Sequence, residues 1–302
     1  MRRRLPWLVL TGLSLLVLSP TAPASVERGS KLFLWKASSP TTEVYLFGSI
    51  HLGKQEWYPL PKEIEGAFEK SKYLVVEADE SKVDAIKLQQ LALENGIYAP
   101  PDSLSKHASA ETMKALGALA EKLGLPAASL EQMKPWLLSL TLSSMSLIKL
   151  GYSPDLGIDR HFLKAAKDKK EILELESMEF QIKLLAGLSD ELQVKFLELT
   201  LEEADNAKER MEKIVGAWSK GDGALLEDEM LKKRAAKNPA QAEFQAKLID
   251  ERNVSMAKKI GEYLKTKDVH FVVVGSAHLI GEKGIVRLLE KDGFKVQQLE
   301  AN

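Results

Sequence analysis

Val44-Tyr45-Leu46-Phe47-Gly48-Ser49-Ile50-His51-Leu52 and Phe271-Val272-Val273-Val274-Gly275-Ser276-Ala277-His278-Leu279 lie near opposite ends of the chain and read as two copies of one phrase. Each is an apolar, β-prone run that breaks at Gly-Ser and presents a histidine three residues after the glycine. Such a run predicts a buried strand, and the glycine marks a sharp turn or a close approach by another group. Open α/β sheets bind ligands in the crevice beyond the carboxyl ends of their strands. Both histidines are therefore expected to face one crevice.

Working outward, residues 31–35 and 43–47 predict a hairpin turning at Ser38-Ser39-Pro40-Thr41-Thr42. A helix at 62–70 and a strand at 73–77 follow the first histidine. A strand at 269–274, the His278 loop, a helix at 283–291 stopped by Gly293 and a strand at 294–299 make up the other end. The order strand, Gly-Ser-x-His-Leu, helix, strand thus occurs twice, a duplicated βαβ unit in which crossover implies parallel pairing. The expected fold class is α/β: a central mixed, largely parallel sheet from two βαβ units of a pseudo-repeat, with a large helical insertion. The boundaries fall at 31–80 for the β-rich N-terminal unit, about 82–266 for the insertion and 268–300 for the C-terminal unit.

Inside the insertion, Leu116, Leu119, Ala120 and Leu123 share a helix face that ends near Gly124 and Pro126. Further helices are expected at 131–150, 158–167 and 190–220, with a short strand at 171–175. Asn238-Pro239 suits the N-cap and first residue of a helix running to about 265. The insertion is expected to cover the crevice.

The chain opens with Met1-Arg2-Arg3-Arg4, an apolar stretch over 5–18, and Ser19-Pro20-Thr21-Ala22-Pro23-Ala24. Basic, apolar and small-residue segments in that order form a secretory signal peptide at 1–24, cleaved after Ala24 to leave a domain over 25–302. The apolar stretch is shorter than the ~20 residues of a spanning helix. With no cysteine, disulfides and a lipid anchor are both excluded. The expected location is the periplasm, with no stable membrane anchor after cleavage. Lys and Arg number 42 against 43 Asp and Glu, so nucleic acid finds no basic footprint and the expected partner is a peptide or small-molecule substrate.

His51 and His278 lead the candidates for chemistry, and Glu77, at the end of its strand, is the third. Two imidazoles and a carboxylate make a three-ligand metal site with positions left for water or substrate. Such donors suit Mn, Co or Zn alike. Asp79 is a possible fourth ligand or supporting partner. Arg252 is either a surface arginine or a guanidinium that holds an oxyanion. Asp159 and His161 read as capping and solvated residues, with Asp159 also a candidate to support a ligand. His107 and His270 read as structural or surface residues. Ser49 and Ser276 lack the Gly-x-Ser-x-Gly elbow and are expected to hydrogen-bond backbone rather than attack substrate.

At Gly48-Ser49-Ile50-His51, Val75-Val76-Glu77, Gly157-Ile158-Asp159, Leu175-Glu176 with Gln181, Glu251-Arg252-Asn253, and Gly275-Ser276-Ala277-His278-Leu279 with Gly281 and Gly284, the chain resembles the TraB/GumN family. That family is related to the TIKI proteases and, more distantly, to the erythromycin-esterase/ChaN group. The resemblance implies an α/β core with helical elaboration. It also implies a metal-dependent peptidase with His51, Glu77 and His278 on the ion and Arg252 supporting them. The alternatives are a metal-independent, erythromycin-esterase-like hydrolase using a motif histidine as general base, and a ChaN-like haem- or metal-binding protein.

Overall fold

The computed structural model describes residues 29–82, 84–233 and 239–302. The expected signal peptide at 1–24 and the expected cap at Asn238 lie outside the described residues. Among those residues no helix is long and apolar enough to cross a membrane.

The two motif runs form strands without in/out alternation, because both faces are covered. These are β2 (Glu43–Ser49) and β5 (His270–Gly275). Near-continuous burial of this kind marks central parallel strands. With β1 (Lys31–Ser38), β3 (Tyr73–Val76), β4 (Glu171–Glu174) and β6 (Lys295–Glu300) they build one six-stranded sheet in the order β4-β3-β5-β2-β1-β6. β2, β3, β4 and β5 are mutually parallel, and β1 is antiparallel to both β2 and β6. The fold is the expected α/β class.

One expectation about pairing needs correction. The strands of each βαβ unit run in the same direction, but neither pair is adjacent. β5 inserts between β2 and β3, while β6 passes to the far edge beyond β1. Burial explains the sorting. β5 is apolar on both faces and stands at the centre, whereas β6 exposes Lys295, Gln297 and Glu300 and serves as a charged edge. The two motif strands therefore pair directly, with Gly48 opposite Val274 and Ser49 opposite Gly275.

The hairpin turn is tied by Ser39, whose Oγ accepts from the N–H groups of Thr41 and Thr42. The helix Ala110–Leu123 ends on Gly124 at φ 74°, as the Gly-Pro punctuation predicted. The expected helix at 131–150 starts later, as Pro135–Lys149, with proline in the first turn. The span 190–220 is two helices, Asp190–Glu203 and Ala207–Ser219, separated by a 3₁₀ turn. Beyond Asn238, Pro239–Gln245 leads through a π turn, Ala246–Asp250, into Glu251–Tyr263. The main core packs Leu34, Leu46, Phe47, Leu74, Phe162, Ile260, Phe271 and their neighbours about the sheet. A second core of Leu104, Leu116, Leu119, Leu138, Leu142 and Leu197 holds the insertion helices together.

Candidate active site

His51 follows the end of β2 and is fixed by the helix Ile158–Ala166. Gly157 caps that helix where any Cβ would collide with the His51 carbonyl oxygen. The Ile158 N–H donates to the Ile50 carbonyl at 3.1 Å. Asp159, in the first turn, then accepts from His51 Nδ1 at 2.8 Å and from Ser49 Oγ at 2.9 Å. The Asp159 charge, opposed by burial and helped by this hydrogen bond and by Glu77, raises the His51 pKa from 6.5 to about 9. Its side chain is nonetheless 63% exposed, so the ring is held by one nitrogen and open at the other.

His278 closes a 3₁₀ turn, Ser276–His278, just beyond β5. Its side chain is only 4% exposed, so the ring is buried beneath the crevice rather than standing open in it. The loop is folded under the helix Glu251–Tyr263, whose Asn253 accepts from His278 Nδ1 at 2.6 Å through Oδ1. Asn253 Nδ2 donates to the Lys283 carbonyl at 2.9 Å, which fixes the amide orientation. Burial, reinforced by Arg252, lowers the His278 pKa although Glu77 opposes it. With Nδ1 donating to Asn253, His278 brings its Nε2 to 3.6 Å from Glu77 Oε1.

Glu77 lies immediately after β3 and Glu176 beside it, with the Glu176 N–H on the Glu77 carbonyl at 2.7 Å. Arg252 spans the two carboxylates, meeting Glu176 Oε2 and Glu77 Oε2 at 2.7 Å each through Nη2. Its Nη1 donates to the Leu248 carbonyl within the π turn. At 13% side-chain exposure it is not a surface arginine. It lies in the floor rather than at the rim. Glu77 Oε1 accepts from the Gly275 N–H at 2.6 Å and Oε2 from Gln181 at 3.3 Å. Burial alone would raise the Glu77 pKa, but the charges of His278, His51 and Arg252 and the Gly275 N–H hold it at about 2.

These side chains converge. A methyl group on Gly275 would stand 3.2 Å from Glu77 Oε1, 3.5 Å from His278 Cδ2 and 3.7 Å from His51 Nε2. His51, Glu77, Arg252 and His278 line one cavity of about 590 Å³. Among the described residues no group of three His, Cys, Asp or Glu side chains is arranged to hold a metal ion. Both Glu77 oxygens are engaged by protein donors, leaving the two imidazoles as the freer ligands.

Asp79 does not line this cavity. β3 ends at Val76, so Asp79 does not continue the strand face that would bring it beside Glu77, and the expectation of a fourth ligand is not met. His161 bonds Glu65 and packs on Tyr58. His107 bonds Asp102 and stacks on Tyr98, and His270 stacks on Tyr73 and Tyr263. Ser276 donates to the Ser49 carbonyl as expected, whereas Ser49 braces Asp159. Sequence reasoning assigned no role to Glu176 or Asn253. Glu176 was detectable in principle, since it follows a short strand as Glu77 does.

The profile of the TraB/PrgY/gumN family matches residues 33–298. The uncharacterized protein YbaP of Escherichia coli (strain K12) is 26% identical over 246 residues, covering 81% of this chain and 87% of that protein. YbaP of Shigella flexneri gives the same values. No solved structure gives a significant match. Spanning both histidine motifs and every strand core between them, the match makes this chain a member of the TraB/PrgY/gumN family.

Proposed function

We propose that this chain is an exported, periplasmic hydrolase of carboxylic esters or amides, peptide bonds included, acting at the cavity floor between His51 and His278 with a divalent ion. The observation that carries the reading is the bracing of the two rings. Each has Nδ1 bonded to an oxygen, of Asp159 or of Asn253; His278 Nε2 lies 3.6 Å from Glu77 Oε1, and His51 Nε2 and that same oxygen both lie within 4 Å of where a Gly275 Cβ would stand. Partners on the far nitrogen are what orient metal-binding histidines. A manganese, cobalt or zinc ion on His51, His278 and Glu77 would polarise the scissile carbonyl and acidify a water. Asp159 and Asn253 hold the rings in place. Arg252, fixed by Glu176, keeps Glu77 ionised and sets a positive charge beside the reacting carbonyl. The resemblance to the TIKI proteases supports the same residue roles.

A second reading is favoured by the 2.8 Å His51–Asp159 pair. In an erythromycin-esterase-like, metal-independent hydrolase, this pair would perform the proton transfers. The test is metal analysis of protein purified without chelator, followed by ester and peptide hydrolysis with and without Mn²⁺, Co²⁺ or Zn²⁺. Metal-stimulated turnover supports the first reading, and full activity after chelation supports the second. Bound haem or metal with no turnover of any substrate would refute both and favour a ChaN-like binding protein.

A further inference from the structure

The chamber above the floor has a chemistry of its own. Its titratable lining residues are His51, Glu77, Arg252 and His278, all on the floor. The walls come from separate helices that each contribute apolar side chains, among them Leu147, Leu184, Phe196, Met211, Met230 and Phe244. Two of the wall segments are π turns, Asp228–Lys232 and Ala246–Asp250, a distortion frequent at functional sites. At roughly 30 Å³ per water-sized group, about 590 Å³ accommodates on the order of 20 non-hydrogen atoms.

Two observations narrow the occupant. Arg252 is the guanidinium of the lining and is already bound to two carboxylates, so it is not available to pair with a charged group at the far end of a ligand. Helical walls bond their main-chain groups internally, whereas an extended peptide needs main-chain partners.

We infer, building on the hydrolase reading above, that the substrate is an amphiphile whose single long acyl chain fills this chamber while its ester or amide carbonyl lies between His51 and His278. In the reaction the oxygen of water bonds to the acyl carbon and the C–O or C–N bond breaks. The proton lost by water goes to the leaving alcohol or amine. The products are a fatty acid and the head-group alcohol or amine.

Binding is tested apart from turnover with non-hydrolysable 1-O-alkylglycerols of four to twelve carbons, titrated calorimetrically below their micelle concentrations. Kd should fall about fourfold per added methylene until the chamber is full. Leu184→Trp should move that plateau to shorter chains. Leu140→Ser, at a wall residue already 39% exposed, should weaken the longest ether without threatening the fold. A Kd independent of chain length in the unaltered protein overturns the inference, as does an acetylated, amidated leucine peptide binding as tightly as the twelve-carbon ether. Chain-length dependence with no cleavage of any acyl ester would leave the inference standing and remove the hydrolase reading. Cleavage of short esters with flat chain-length dependence would do the reverse.

Discussion

Arg252→Met should be among the most damaging single changes in the floor. Methionine preserves much of the length and apolar stem but removes every donor. Glu77, at 11% side-chain exposure, and Glu176, at 4%, then remain beside each other without their shared cation. Breaking a buried ion pair by removing one partner costs about 3–5 kcal/mol, which in a chain of this size lowers Tm by roughly 6–10 °C. The loss should depend on pH. Glu77 is held at about 2 against an ordinary 4.5. At ~1.4 kcal/mol per pH unit this gives about 3 kcal/mol of stability, present above pH 4.5 and lost as pH falls toward 2. Arg252 supplies part of that, with His278 and His51. Urea-unfolding midpoints of parent and variant should therefore differ most at pH 7, less at pH 3, and converge as pH falls toward 2. Adding Glu77→Gln and Glu176→Gln to Arg252→Met should recover most of the loss, because no unpaired charge is left. A deficit under about 1 kcal/mol at pH 7, or one equally large at pH 3, would refute the argument.

His51→Ala and His278→Ala should each abolish metal binding and turnover. Both should also lower Tm: His278→Ala leaves Asn253 Oδ1 buried without its donor at a cost of about 1–3 kcal/mol, and His51→Ala removes the partner of Asp159 and part of the charge that holds Glu77 ionised; retained activity in both variants would end the shared-site idea. Gly157→Ala should push the His51 loop away from the helix Ile158–Ala166 and cost about 1–3 kcal/mol, read as a lower Tm together with reduced turnover. His270, whose pKa burial lowers, is held neutral between Tyr73 and Tyr263. Stability should therefore fall as pH drops below about 6.5, and His270→Phe should flatten that slope in denaturant titrations from pH 7 to 5. N-terminal sequencing of the exported protein should begin at Ser25; a chain still starting at Met1 would contradict signal cleavage.

The two Gly-Ser-x-His phrases determined much of this protein by themselves. Their short, β-branched and aromatic apolar runs stopped by Gly-Ser read as strands covered on both faces, and each glycine marked where its strand ended. Glu77 was legible for the same reason, as a carboxylate at the end of an apolar strand. Local signals also located the stop of the helix at Gly124 and the strand at Glu171–Glu174. Strand order was not local. Whether β5 lies beside β6 or between β2 and β3 depends on which strands bury both faces in the assembled sheet. The depth of His278, the bridging of Glu77 and Glu176 by Arg252, and the bracing of His51 and His278 by Asp159 and Asn253 likewise join residues from about 25 to 175 positions apart. The apolar chamber is more collective still. Its walls read in the sequence as ordinary amphipathic helices, and only their packing around the carboxyl end of the sheet turns those faces toward one reactive floor.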